Sequence, residues 1–93
     1  MAQLRDDNRY AYIATATTTQ VHTGAGRLQK IIVGETAAGS IKIIDGTSGS
    51  TTNLAELKAS IAEGSYEFNV AFGSGLRIIT AGASKITVVY TTN

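Results

Sequence analysis

His22 is the only imidazole in the chain and there is no cysteine. A metal site built on His22 would therefore need carboxylates for the rest of its ligands, and none cluster near it in sequence. With Val21 facing inward, Gln20 and His22 are expected to face outward. Glu63 and Glu67 come closest to a carboxylate pair able to exchange protons. Their place beside Gly64 and Ser65 favours solvated charges instead. Serine and threonine are plentiful, but a nucleophilic hydroxyl needs a base and a group to orient that base, and no nucleophile elbow occurs. Gly34-Glu35-Thr36-Ala37-Ala38-Gly39-Ser40 has the two glycines of a phosphate-binding loop. Ser40 stands where the lysine must be, and Ile41-Lys42-Ile43-Ile44 continues as a strand rather than the required helix. A surface hairpin turn is the expectation there. Gly24-Ala25-Gly26 begins like a dinucleotide fingerprint, but Gln29 replaces the third glycine and no βαβ unit surrounds it. No catalytic, cofactor-binding or metal-binding residue is assigned.

The elements that would carry such residues are short β-branched or aromatic runs broken by glycine, the rhythm of a sandwich or barrel. Tyr10 to Thr17 reads as a strand with a Thr-rich continuation through Val21 and Thr23. Leu28 to Val33 and Ile41 to Asp45 follow. Asp45-Gly46 is a turn signal that Thr47-Ser48-Gly49-Ser50 extends into a loop. Tyr66-Glu67-Phe68-Asn69-Val70-Ala71-Phe72 alternates cleanly, with Glu67, Asn69 and Ala71 on the outer face. Leu76 to Thr80 and Ile86 to Tyr90 then complete an expected β-meander. Asn53-Leu54-Ala55-Glu56 has the form of a helix capping box, with Leu54, Leu57 and Ile61 at helical spacing. A strand around Leu57 is favoured, because an isolated helix of that length is marginal. The expected fold is all-β, a single small antiparallel β-sandwich of jelly-roll-like form over residues 10–93, with an N-terminal arm over 1–9. Tyr10, Tyr12, Tyr66, Phe68, Phe72 and Tyr90 are expected mostly in its core, which weakens a sugar-stacking reading, as does the absence of tryptophan.

Ninety-three residues suit one domain with a thin core, and with no cysteine there are no disulfides to support it. Association with a partner is the remaining route to stability. The net charge of +1 comes from scattered basic residues, which gives no footprint for nucleic acid or an anionic membrane. No apolar run is long enough to span a bilayer, and Met1 to Asn8 does not read as an export signal. Charged residues make up 16% of the chain, below the roughly 25% of an ordinary soluble domain. Much of the surface is therefore uncharged. Period-two alternation places Lys42, Arg77 and Thr87 outward, and Ile44, Ile79 and Val89 with them. Such residues form a protein-contact patch if they lie together. If the strand ends twist under loops, they do not.

Thr17 to Leu28, then Ile41-Lys42-Ile43-Ile44-Asp45-Gly46-Thr47, and the ending Gly75 to Gly82 followed by Ile86-Thr87-Val88-Val89-Tyr90 resemble small tailed-bacteriophage virion proteins of β-sandwich or jelly-roll type. The resemblance implies a structural, non-enzymatic role as a capsid decoration or cement protein. Its expected place is the outer surface of the virion capsid, after synthesis in the host cytoplasm. Its expected partners are the major capsid protein and further copies of itself, as a homotrimer or a dimer, with no cofactor, nucleic acid, membrane or small-molecule substrate. Within that reading Arg5, Asp6, Asp7 and Arg9 belong to an arm that meets complementary charges, and Ile44, Ile79 and Val89 to the contact surface. A tail, fibre or head-spike module, and a small carbohydrate-binding or enzyme accessory domain, are the alternatives.

Overall fold

The computed structural model describes residues 9–47, 49 and 52–92. Eight strands account for the regular structure of these residues: β1 (Arg9–Ile13), β2 (Thr18–Thr23), β3 (Gly26–Glu35), β4 (Ile41–Asp45), β5 (Asn53–Leu57), β6 (Gly64–Phe72), β7 (Gly75–Thr80) and β8 (Lys85–Thr92). They form two four-stranded antiparallel sheets, ordered β1-β8-β3-β6 and β2-β7-β4-β5. The pairs β1 with β8, β2 with β7, β3 with β6 and β4 with β5 are those of one long hairpin whose tip is β4 and β5. Rolling that hairpin brings β3 against β8 and β4 against β7. This is the jelly-roll arrangement, in which two sheets share one core.

Several strands fall where the alternation put them, but their pairing does not. The expected meander over the last three strands is absent, because β6 and β8 lie in one sheet and β7 in the other. The glycine turns at Gly73 to Ser74 and Ala81 to Ser84 are arches between sheets. The segment from Gly34 to Ser40 is likewise an arch from β3 to β4, not a hairpin turn. Gly39 packs so tightly there that a Cβ would sit 2.3 Å from the backbone nitrogen of Gly82. The first expected strand is also divided. Ala14 to Thr17 carries the chain across, and Thr80 anchors the crossing: its buried hydroxyl donates to the Thr15 carbonyl at 2.6 Å and accepts from the Thr17 N–H at 3.0 Å. Residues 53–57 form a strand rather than the helix allowed by the capping-box pattern.

The core lies between the sheets. Leu28, Ile31 and Val33 on β3 stand opposite Tyr90, Val88 and Ile86 on β8. They face Ile41, Ile43, Leu76 and Ile78 from the other sheet, with Phe72 and Leu57 closing the ends. Leu28 and Ile31 share a face three positions apart because β3 carries one extra residue against β8 between Leu28 and Lys30. At the same level β6 carries one extra residue against β3, and Asn69 there has φ +52°. Asparagine is among the few residues with a side chain that tolerate this left-handed conformation.

Candidate functional site

The outer face of the β1-β8-β3-β6 sheet is the most distinctive surface of the molecule. Side chains alternate across a strand, so placing Ala11 and Ile13 toward the core turns Tyr10 and Tyr12 outward. They are 75% and 61% exposed. Both tyrosines were expected mostly in the core, and the alternation of β1 overturns that expectation. Two rows of neighbours then run across the sheet: Tyr10, Val89, Lys30 and Glu67, and beside it Tyr12, Thr87, Ile32 and Ser65. Val89, Thr87 and Ile32 are half-buried. The first row ends in Lys30 directly opposite Glu67. Opposite charges facing each other across a sheet offset one another, and at the other end of the row Tyr10 and Val89 lie next to the exposed Arg9.

At one end of this face a second bulge, between Val33 and Glu35, sets Glu35 opposite Lys85. The Lys85 ammonium donates to Glu35 Oε1 at 2.8 Å. Its hydrogen bond, and then its charge, hold the Glu35 carboxyl below the usual carboxylate range. Reciprocally, Glu35 raises Lys85, with a smaller contribution from Tyr12. Both side chains are more than half exposed, so water screens the pair and its part in stability is small. An open depression of about 470 Å³ lies here, lined by Tyr12, Ile32, Gly34, Glu35, Glu63, Lys85 and Thr87. Glu63 accepts a hydrogen bond from the Thr36 backbone N–H at 3.3 Å. The depression therefore combines one aromatic face, two carboxylates, an ammonium and a hydroxyl.

The other singled-out residues are dispersed. His22 is half-buried and packs on the core aromatics, with ring centroids 6.1 Å from Phe72 and 5.8 Å from Tyr90. It does not face outward as expected, because an extra residue at Val21 shifts β2 against β7 between Gln20 and His22. Gln20 instead reaches out, its amide donating to the carbonyls of His22 at 2.8 Å and Gly46 at 3.0 Å. Glu67 stands on the outer face, apart from the depression, and accepts from the Ser65 hydroxyl. Among the described residues no group of three histidine, aspartate or glutamate side chains is placed to hold a metal ion.

The apolar residues expected on an outer face also separate. Ile44 is only 4% exposed although it lies outside the core cluster. It sits beside Arg77, whose guanidinium donates to the Thr47 carbonyl at 2.9 Å. Ile79 is half-buried on β7, in the same sheet as Ile44, whereas Val89 is on β8 in the opposite sheet. The three cannot form one patch. Arg9 opens β1 opposite Tyr90 rather than belonging to an arm. Arg5, Asp6 and Asp7 lie outside the described residues. Tyr10 and Tyr12 are the residues that sequence reasoning missed. The signal was present, since one strand cannot bury both these tyrosines and Ala11 with Ile13.

No protein-family model, curated protein or solved structure matches the chain.

Proposed function

We propose that the chain is a structural, non-enzymatic virion protein that decorates and stabilises a bacteriophage capsid by bridging major capsid protein subunits. The observation that carries this reading is the outer face of the β1-β8-β3-β6 sheet. It presents Tyr10 and Tyr12 beside Val89 and Ile32, while Lys30 stands opposite Glu67 and Lys85 opposite Glu35, and Arg27 lies further along the face opposite Ala71 and Thr91. Exposed tyrosine next to apolar, uncharged surface is the composition of protein interfaces. The jelly roll itself supports the reading only by analogy, because this fold serves capsid proteins and also lectins. A small domain that adds such contacts across a seam raises the cost of separating two capsid subunits. The test is co-sedimentation of the purified protein with capsids lacking it, followed by heating. Binding at fixed stoichiometry, with genome release moved to higher temperature, is the expected result. Capsids that neither bind it nor gain heat resistance would overturn the proposal.

The depression beside Tyr12 favours a second reading, a saccharide-binding module. A sugar ring could stack its C–H face on Tyr12 while Glu35, Glu63, Lys85 and Thr87 meet its hydroxyls. Binding to a glycan array that is lost in Tyr12→Ala, without capsid binding, would select this reading.

A further inference from the structure

The two sheets have four edge strands: β1 and β6 in one, β2 and β5 in the other. An edge strand displays unpaired backbone groups, and proteins commonly blunt it with a bulge that spoils pairing with another chain. Three of these edges carry that device in the edge strand itself. The extra residue lies on β2 at Val21, on β5 at Leu54, and on β6 between Glu67 and Val70. β1 has none: its five residues pair with β8 in unbroken register from Arg9 opposite Tyr90 to Ile13 opposite Ile86. It also contains no proline, and its only charge is Arg9 at its start. Its other side has no strand partner among the described residues. The least protected edge is thus also the one that carries both exposed tyrosines.

The geometry points to β1 as a self-association strand whose occupant is β1 of a second copy of this chain, running antiparallel. Two identical antiparallel strands are related by a two-fold axis, so the contact closes on itself as a dimer. Centring the axis on Ala11 pairs all five residues. Tyr10 then faces Tyr12 of the second copy, Tyr12 faces its Tyr10, and Arg9 faces Ile13, so no like charges meet. Residues directly opposite share a face, so both tyrosine pairs lie on the exposed surface, where aromatic cross-strand pairs stabilise a sheet. The sheets merge into one of eight strands with all four tyrosines along its middle. A tyrosine offers about 150–250 Å² to bury, so the contact falls at the small end of specific interfaces and is reversible. A trimer cannot arise this way. It would need β1 to meet a different edge, and the others are bulged. This inference does not depend on a virion role.

The test uses the full chain. Light scattering across a concentration series is expected to rise from the 9.7 kDa chain mass towards twice that value. Tyr10→Lys with Tyr12→Lys should hold the mass at the single-chain value with an unchanged β-type circular dichroism spectrum, since both side chains are exposed. The natural chain has no cysteine, so Ala11→Cys introduces a single thiol that meets its own copy at the axis. Mild oxidation should convert it to a covalent dimer, whereas Ala71→Cys on the bulged edge β6 should stay single. A mass that stays at one chain throughout the series would overturn the inference. So would association unaffected by the two lysines, or cross-linking no greater at position 11 than at 71.

Discussion

Replacing Asp45 by alanine should loosen one end of the sandwich in a way that acid alone can reproduce. Asp45 closes β4, and its carboxylate caps the arch from β6 to β7: Oδ2 accepts from the Gly73 N–H at 2.9 Å, and Oδ1 from the Ser74 N–H at 2.9 Å and the Gly75 N–H at 3.4 Å. These backbone donors, Gly73 first, hold its carboxyl below the ordinary value of 3.8, against a smaller opposing effect of burial. Hydrogen bonds to a charged group contribute about 1.5–3 kcal/mol each. The two short ones would total about 3–6 kcal/mol if water could not replace them. Both are exposed, so hydration of the freed N–H groups recovers much of this, and a loss of about 2 kcal/mol is expected. For a domain of this size that lowers Tm by about 8–16 °C. Because the folded pKa lies below the unfolded one, the contribution is complete above the unfolded value and disappears as pH falls through the folded value. Calorimetry of Asp45→Ala and the natural chain should therefore show the full difference near neutrality and convergence in acid. Equal differences at pH 7 and in strong acid would refute the electrostatic account, and no difference at pH 7 would refute the capping itself.

Three further outcomes are expected. Gly26→Ala should cost at least about 3 kcal/mol in urea unfolding, because its Cβ would lie 2.3 Å from the Thr91 carbonyl oxygen and 2.7 Å from the Phe72 ring, and the backbone oxygen belongs to a central strand. Thr80→Val keeps the shape but leaves the Thr15 carbonyl and Thr17 N–H without the hydroxyl they share, so stability should fall by about 1–3 kcal/mol, measured by thermal melting. Lys85→Met should leave Tm unchanged and move the Glu35 titration, followed by NMR, up towards the ordinary 4.5; a large melting change would mean the ion pair is more than a screened surface contact.

How far the fold could be read from sequence depended on whether the relevant rule was local. Ile41-Lys42-Ile43 and Ile86-Thr87-Val88 declare strands and faces by alternation alone, and Ile43, Ile86 and Val88 are fully buried. Pairing is not local. Gly73-Ser74 looks the same whether it joins neighbours in one sheet or carries the chain across to another, so a meander was expected where the roll places β7 in the opposite sheet. Bulges were equally invisible. Each shifts a strand by one residue and reverses the faces beyond it, which is how His22 came to lie on Phe72 and Tyr90. Ile44 obeys the alternation, standing outside the core cluster, but is covered all the same. The tyrosine face is hidden by residue type, since aromatic side chains favour the core, although the parity of Tyr10 and Tyr12 against Ile13 points outward.

The rolled hairpin also dictates when the protein can exist. Among the described residues, β4 and β5 are the only strands adjacent in sequence that pair with each other; β1 must wait for β8, which begins at Lys85. Loop-closure entropy makes such distant pairings slow to form, so acquisition of the native state is expected to lag behind that of helical domains of equal length. On a ribosome β1 emerges before the six intervening strands, and its partner β8 only after them. Until β8 emerges, Tyr10 and Tyr12 sit on a strand with both sides unsatisfied, open to the same segment of other nascent chains. Assembly and misassembly would then compete for one five-residue stretch, and the pace of translation from β1 to β8 would help decide between them.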